Sequence, residues 1–159
     1  MTHTISALVR NQPGVLADMA EAICKYNVNI RSISAGETED PDISRLTIGL
    51  DGLELDIARI TEEMEGMEVV IGVDDLQRKE FVDRELLLIK VAMEPSVTTQ
   101  IMQIFEVFRA NVVGMGQKTI TVEMSGDRDK VDAMIGMLKP HGIKSLCRSG
   151  MIALKRGDE

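Results

Sequence analysis

The stretch with the clearest capacity for chemistry is Asn11-Gln12-Pro13-Gly14-Val15-Leu16-Ala17-Asp18, which joins a predicted strand to a predicted helix. Pro13 presets the backbone angle at which a helix starts, and Gly14 lets a ligand approach the backbone closely. The first amides of a helix have no partner within the helix and lie at the positive end of its dipole. The segment therefore predicts a binding site for an anion such as a carboxylate.

Further residues could complete a small-molecule site around this anion position. Val15 and Leu16 offer apolar surface, and Asn29 opens the next strand with a carboxamide that can both donate and accept hydrogen bonds. A turn that merely caps a helix also fits these residues, so their types alone leave both interpretations open. The candidate binding residues are Asn11, Pro13, Gly14, Val15, Leu16, Asn29 and Ile30.

Other reactive side chains are few and scattered. The two histidines, His3 and His141, have no nucleophile and acid beside them at a spacing that suggests catalysis. Cys24 and Cys147 are predicted to be small buried side chains, and two thiols alone do not form a zinc site. The acidic run 37–42 lacks the spacing of a calcium loop and is predicted to be a solvated hairpin tip. We therefore expect no catalytic residue and no metal site on this chain.

Two periodicities alternate along the sequence and predict the elements that hold the candidate site. Segments with apolar residues at every second position indicate half-buried strands, and segments with apolar residues at i, i+3, i+4 and i+7 indicate helices lying on a sheet. The predicted strand faces are Ile5/Ala7/Val9, Leu46/Ile48/Leu50, Val69/Ile71/Val73, Leu87/Ile89/Val91 and Ile120/Val122/Met124, with less regular strands at 28–33, 112–113 and 143–147. The predicted helix stripes are Leu16/Met19/Ala20/Ile23, Ile57/Ile60/Thr61/Met64, Ile101/Ile104/Phe105/Phe108 and Val131/Met134/Ile135/Leu138.

The order strand, helix, strand, strand, helix, strand therefore occurs twice, about 80 residues apart. This order predicts an α+β protein of two tandem ferredoxin-like βαββαβ domains, each a four-stranded antiparallel sheet with two helices on one face. The charged stretch Gln77-Arg78-Lys79-Glu80 suggests a boundary, giving domains at 1–77 and 78–159. Because a unit this small buries limited area, we expect it to pair with a second copy.

The charge, the apolar runs and the cysteine count of the sequence indicate which kinds of partner and location to expect. The 159 residues carry a net charge of −8, and residues 1–77 hold 5 Lys/Arg against 15 Asp/Glu. So acidic a half should repel a phosphate backbone, and we expect no nucleic-acid partner. The longest branched-aliphatic run, 86–89, is too short to span a membrane, and the N-terminus does not resemble a secretion signal. With only two cysteines, a cytoplasmic location is expected.

Beyond these physical features, the opening segment followed by Asn29-Ile30 resembles an ACT domain, a ferredoxin-like sensor of amino acids. The rest of the chain resembles the small subunit of acetohydroxyacid (acetolactate) synthase over nearly its whole length. The stretches that carry this resemblance are Ser44–Ile48, Arg84–Val91, Phe105, Phe108–Ala110, Arg148–Gly150 and Arg156-Gly157. Residues 61–73 depart from the family, which more often has a basic helix end there, and 92–98 lack its usual charged helix start.

The resemblance implies a non-catalytic regulatory subunit in branched-chain amino acid biosynthesis. In that family a large catalytic subunit, not the small one, binds thiamine diphosphate and Mg²⁺. The small subunit raises its activity and makes it sensitive to valine or a related amino acid. The effector lies between the ACT domains of a homodimer, where one chain offers the loop 11–16 and the other offers Asn29-Ile30. An alternative is a free-standing ACT sensor that regulates a different enzyme.

Overall fold

The computed structural model describes residues 2–158, including every side chain there except that of Arg78. Over this range the strand and helix order predicted from the sequence is confirmed in both halves. The first half contains β1 (Thr2–Arg10), α1 (Val15–Cys24), β2 (Asn29–Glu37), β3 (Ile43–Asp51), α2 (Glu54–Glu65) and β4 (Val70–Asp75). The second contains β5 (Phe81–Ala92), α3 (Thr98–Phe108), β6 (Asn111–Met115), β7 (Thr119–Gly126), α4 (Arg128–Leu138) and β8 (Ile143–Lys155), and short 3-10 helices lie at Leu76–Arg78 and Lys139–His141.

Each half forms one four-stranded sheet with its first and third strands at the centre. The strand orders are β2-β3-β1-β4 and β6-β7-β5-β8, so the second strand of each half lies at a sheet edge. Alternate side chains of β1 and β3 enter a core with one stripe from each helix, as the predicted ferredoxin-like fold requires. The second half builds its core in the same way from β5, β7, α3 and α4.

Two residues that were predicted to face the core are exposed. In α1 the buried residues include Val15, Met19 and Ile23, whereas Leu16 is 50% exposed, because the helix begins one residue before the predicted stripe. In β4 a β-bulge opposite Leu8/Val9 breaks the alternation, so Ile71 points outward and is half exposed. The bulge adds a residue to one strand only, and strict period two cannot continue through it.

The contacts divide the chain into two compact units, 1–82 with 151–159, and 83–150. The last residues belong to the first unit, where Lys155 pairs with Asp74 at 2.7 Å and the backbone N–H of Arg156 donates to the carbonyl of Glu80 at 2.9 Å. These units divide the chain after residue 82 and again after residue 150, whereas the domain ranges expected from the sequence, 1–77 and 78–159, have one boundary. Within residues 2–158, no helix has the length and apolar character needed to cross a membrane.

Candidate functional site

The start of α1 has an open backbone. Gly14 precedes the helix with φ of 89°, a left-handed conformation that disfavours other residues, and its carbonyl accepts from the Asp18 amide at 3.0 Å. Among the described residues no side chain caps the helix, and apart from Gly14 and its neighbours Pro13 and Val15 no atom lies within 4 Å of the position that a Cβ of Gly14 would occupy. A ligand can therefore reach the main chain at the positive end of the helix dipole.

Asn11 connects this loop by hydrogen bonds to the hairpin between β2 and β3. Its backbone N–H donates to the carbonyl of Asp42 at 2.8 Å. Its side-chain Nδ2 donates to the carbonyl of Pro41 at 2.9 Å and to Oε1 of Glu37 at 3.2 Å. The spacing of the acidic run predicts only a solvated tip and not this contact, which lies at the end of the sheet where Arg10 and Ile43 are register partners.

The apolar candidates divide between core and surface. Val15 is 5% exposed and packs in the core, so only its backbone is available to a ligand. Leu16 is half exposed beside it, and Ile30 is partly buried against the core. Pro13 is exposed in the loop. Leu16 and Ile30 are therefore the side chains that could contact an aliphatic group.

Asn29 lies at the other end of the sheet from the start of α1. It is exposed and is the register partner of Asp51, whose Oδ2 is 3.3 Å from Nε of Arg31. The register places Arg10 beside Ile43, eight residue steps along β3 from Asp51, which is roughly 26 Å at about 3.3 Å per residue. One copy of the chain therefore does not bring Asn29 and the 11–16 loop onto a single amino acid.

In the second unit, the charged residues of the sequence motifs meet each other. Arg148 donates from Nε to Oε1 of Glu85 at 2.8 Å and from Nη2 to Oε2 at 2.6 Å, while its Nη1 donates to Oδ1 of Asp132 at 2.8 Å. Glu85 is 5% exposed, and its hydrogen bonds raise the pKa of the Arg148 guanidinium despite partial burial. This bidentate pair joins β5, β8 and α4, which is a structural role.

The remaining candidates do not assemble into a reactive centre. Cys24 and Cys147 are both exposed, which contradicts their predicted burial: Cys24 ends α1 on its solvent side, and Cys147 lies on the outermost strand of its sheet. In the part of the chain that the structure describes, no three His, Cys, Asp or Glu side chains are grouped to hold a metal ion.

A ferredoxin-like unit whose first helix starts at an uncapped glycine beside an edge strand defines a class, that of proteins with an ACT regulatory domain. The family model described as "AHAS small subunit-like ACT domain" matches residues 5–72. A second family model, described as "Small subunit of acetolactate synthase", matches residues 84–157.

Known relatives resemble the chain over almost all of its length. An acetolactate synthase small subunit from Mycobacterium bovis is 37% identical over 98% of this chain and 93% of its own. The one from Aquifex aeolicus is 40% identical over 97% of this chain and 81% of its own. The crystal structure of the acetolactate synthase small subunit from Thermotoga maritima superposes with a TM-score of 0.87, at 31% identity, covering 100% of this chain and 99% of the other.

The chain belongs to the family of acetolactate synthase small subunits. As a small subunit it is a regulatory part of the synthase, and this implies a catalytic subunit as its partner.

Proposed function

We propose that two copies of this chain bind a branched-chain amino acid, valine in the first place, between their ACT domains. Occupancy of that site inhibits the catalytic subunit, whose activity the unoccupied small subunit raises. The thiamine diphosphate and Mg²⁺ of the reaction belong to the catalytic subunit, and this chain contributes no cofactor and no catalytic residue.

The observation that carries the proposal is the placement of β2 at the edge of its sheet. An edge strand has an unpaired row of backbone groups, and two such strands can pair antiparallel across a two-fold axis. Asn29 begins β2 and Glu37 ends it, so antiparallel pairing sets Asn29 of one copy near the Glu37 end of the other. Glu37 is hydrogen-bonded to Asn11, and the pairing therefore brings the two separated halves of the site together.

The chemistry of this composite site suits a small zwitterion with an aliphatic side chain. The amides around Gly14 and Val15 meet the carboxylate, aided by the helix dipole. Leu16 and Ile30 meet the branched side chain, and the Asn29 carboxamide, which can donate and accept, closes the site from the second copy. A two-fold axis generates two such sites per pair.

Inhibition requires that the effector bind one arrangement of the paired domains more tightly than the other. Coupling free energies of this kind are about 1–3 kcal/mol, corresponding to roughly 5–150-fold in affinity. A coupling free energy of this size is enough to change the affinity of the small subunit for its catalytic partner without unfolding either protein.

The test is Asn29→Ala in the complex reconstituted with the catalytic subunit. We expect valine inhibition to be lost and activation to remain, because Asn29 is exposed and its removal leaves the core intact. The matched control is Asn111→Ala: Asn111 is also exposed and opens β6, the equivalent edge strand of the second unit. Inhibition of the Asn29→Ala complex at the wild-type valine concentration would overturn the site assignment.

A further inference from the structure

The side chain of Asn11 is held in one orientation by two acceptors. Its Nδ2 lies 2.9 Å from the Pro41 carbonyl and 3.2 Å from Oε1 of Glu37. An amide turned the other way would set its own oxygen against a carbonyl and a carboxylate, three acceptors with no hydrogen between them. The NH₂ group must therefore face the hairpin.

This orientation determines what Asn11 can still offer. A carboxamide has two N–H donors and one oxygen that accepts, and both donors of Asn11 are used by the hairpin. Among residues 2–158 no donor is recorded on its Oδ1. Asn11 can therefore accept a hydrogen bond from a ligand but cannot donate one to it.

We propose that Glu37 is a positioning residue for the effector site: by holding the Asn11 NH₂, it presents Oδ1 to the ammonium group of the effector. This inference rests on the proposed function and specifies its ligand class. The site then selects α-amino acids over 2-oxoacids with the same side chain, since a 2-oxoacid has a carboxylate and an aliphatic group but no ammonium to donate.

The arrangement also explains how the site distinguishes the two ends of a zwitterion. The backbone amides at Gly14 are donors and suit the carboxylate, whereas Asn11 is left with an acceptor and suits the ammonium. The negative charge of the Glu37 carboxylate lies on the same side of the site as the Asn11 oxygen, and both attract an ammonium group. Donor and acceptor therefore lie at the two ends of one loop, residues 11–14.

The experiment is calorimetry of the full chain with valine and with the 2-oxoacid that carries valine's side chain. Glu37→Ala removes one of the two acceptors and leaves the Asn11 amide held by Pro41 alone, so we expect valine affinity to fall about 5–10-fold, roughly the net weight of one hydrogen bond. Affinity for the 2-oxoacid should stay level or rise. Glu37→Gln keeps an acceptor oxygen and should retain most of the wild-type preference for valine.

Glu39→Ala is the matched control. Glu39 lies on the same hairpin and is exposed, and its removal changes the net charge by the same amount. The hydrogen bonds recorded for Asn11 do not involve it. We expect the Glu39→Ala chain to bind valine with the wild-type affinity and selectivity.

The outcomes separate this inference from the proposed function. If the wild-type chain binds no branched-chain amino acid, both are overturned. If it binds valine but Glu37→Ala keeps the wild-type preference over the 2-oxoacid, the role of Glu37 is overturned while the proposed function stands. An equal loss for both ligands, not repaired in Glu37→Gln, would assign Glu37 only to the hairpin's structure and likewise overturn its role.

Discussion

The central strands β1 and β5 each bury one polar side chain at the equivalent position, but the two side chains differ in whether they are hydrogen-bonded. His3 precedes Ile5, Ala7 and Val9 in β1, as Glu85 precedes the equivalent core residues of β5, and each is 5% exposed. Both carboxylate oxygens of Glu85 accept hydrogen bonds from the Arg148 guanidinium. Neither ring nitrogen of His3 has a hydrogen-bond partner among residues 2–158. The same fold thus tolerates a hydrogen-bonded buried carboxylate in the second unit and a buried imidazole ring without a described partner in the first.

The first helices of the two units differ in how the turn before them is hydrogen-bonded. Gly14 leaves the start of α1 open, whereas the turn before α3 closes on Glu94, whose carbonyl accepts from the N–H groups of Val97 and Thr98 and from the Thr98 hydroxyl. The edge strands nevertheless begin alike, since β2 and β6 both open with Asn and both have a bulge after their second residue. The loop before the first helix is therefore one place where the two units differ, and the proposed effector site lies at that loop.

The largest effect on stability should come from removing one partner of the Arg148–Glu85 ion pair. Arg148→Ala leaves Glu85 buried with no counter-charge, and we expect the free energy of unfolding of the second unit to fall by about 3–5 kcal/mol, measured by urea titration. Replacing both partners, Glu85→Leu with Arg148→Met, should recover most of that loss. A decrease below about 1 kcal/mol for Arg148→Ala would mean that water or another group satisfies Glu85.

Gly14→Ala should have the next largest effect, on binding more than on stability. Both Gly14 and Gly142 have left-handed backbones, with φ of 89° and 88°, so Ala at either position should cost about 1–2 kcal/mol of stability. Only the change at Gly14 adds a methyl group where the ligand approaches the backbone. We expect it to weaken valine binding about tenfold or more in calorimetry, equivalent to at least about 1.4 kcal/mol, and Gly142→Ala to leave binding unchanged.

His3→Leu should act in the opposite direction from Arg148→Ala. It removes two buried nitrogens that have no described partner and keeps an apolar group on the core face of β1, so the free energy of unfolding should rise by about 1 kcal/mol. Thermal and urea unfolding of the full chain measure this change. A decrease instead would show that the His3 ring makes a contact the fold depends on.

The smallest effect concerns a partly buried carboxylate of the first unit, that of Glu63. The Lys25 ammonium, followed by the Tyr26 hydroxyl, hydrogen-bonds Glu63 and lowers the pKa of its carboxyl below the ordinary range. The unfolded chain therefore takes up this proton at higher pH than the folded chain, so stability is present above the ordinary glutamate pKa and is lost as the pH falls through the lowered one. Glu63→Gln should make the free energy of unfolding less dependent on pH between about pH 5 and pH 3, and it should lower stability slightly near pH 7, where the wild-type carboxylate is fully ionised.

Sequence periodicity was sufficient for the element order because Ile57, Ile60 and Met64, and Leu87, Ile89 and Val91, repeat at the spacing of helices and strands. It failed at Leu16 and Ile71, where a helix start and a bulge shift the phase by one residue. Pro13-Gly14 could be interpreted in advance because local backbone chemistry marks the start of a helix. The hydrogen bond from Asn11 to Glu37 could not, since only the folded hairpin brings residues 26 positions apart together.

The separation of Asn29 from the start of α1 has a consequence for control in the cell. In the proposed site each copy holds only half of the binding residues, so effector binding and association of the copies would be one linked equilibrium, in which each strengthens the other by the same free energy. Sensitivity to the effector then depends on how much of the small subunit is present. Dilution below the dissociation constant of the effector-bound pair should abolish inhibition even at saturating amino acid, so on this proposal the abundance of the protein sets a threshold for its own regulation.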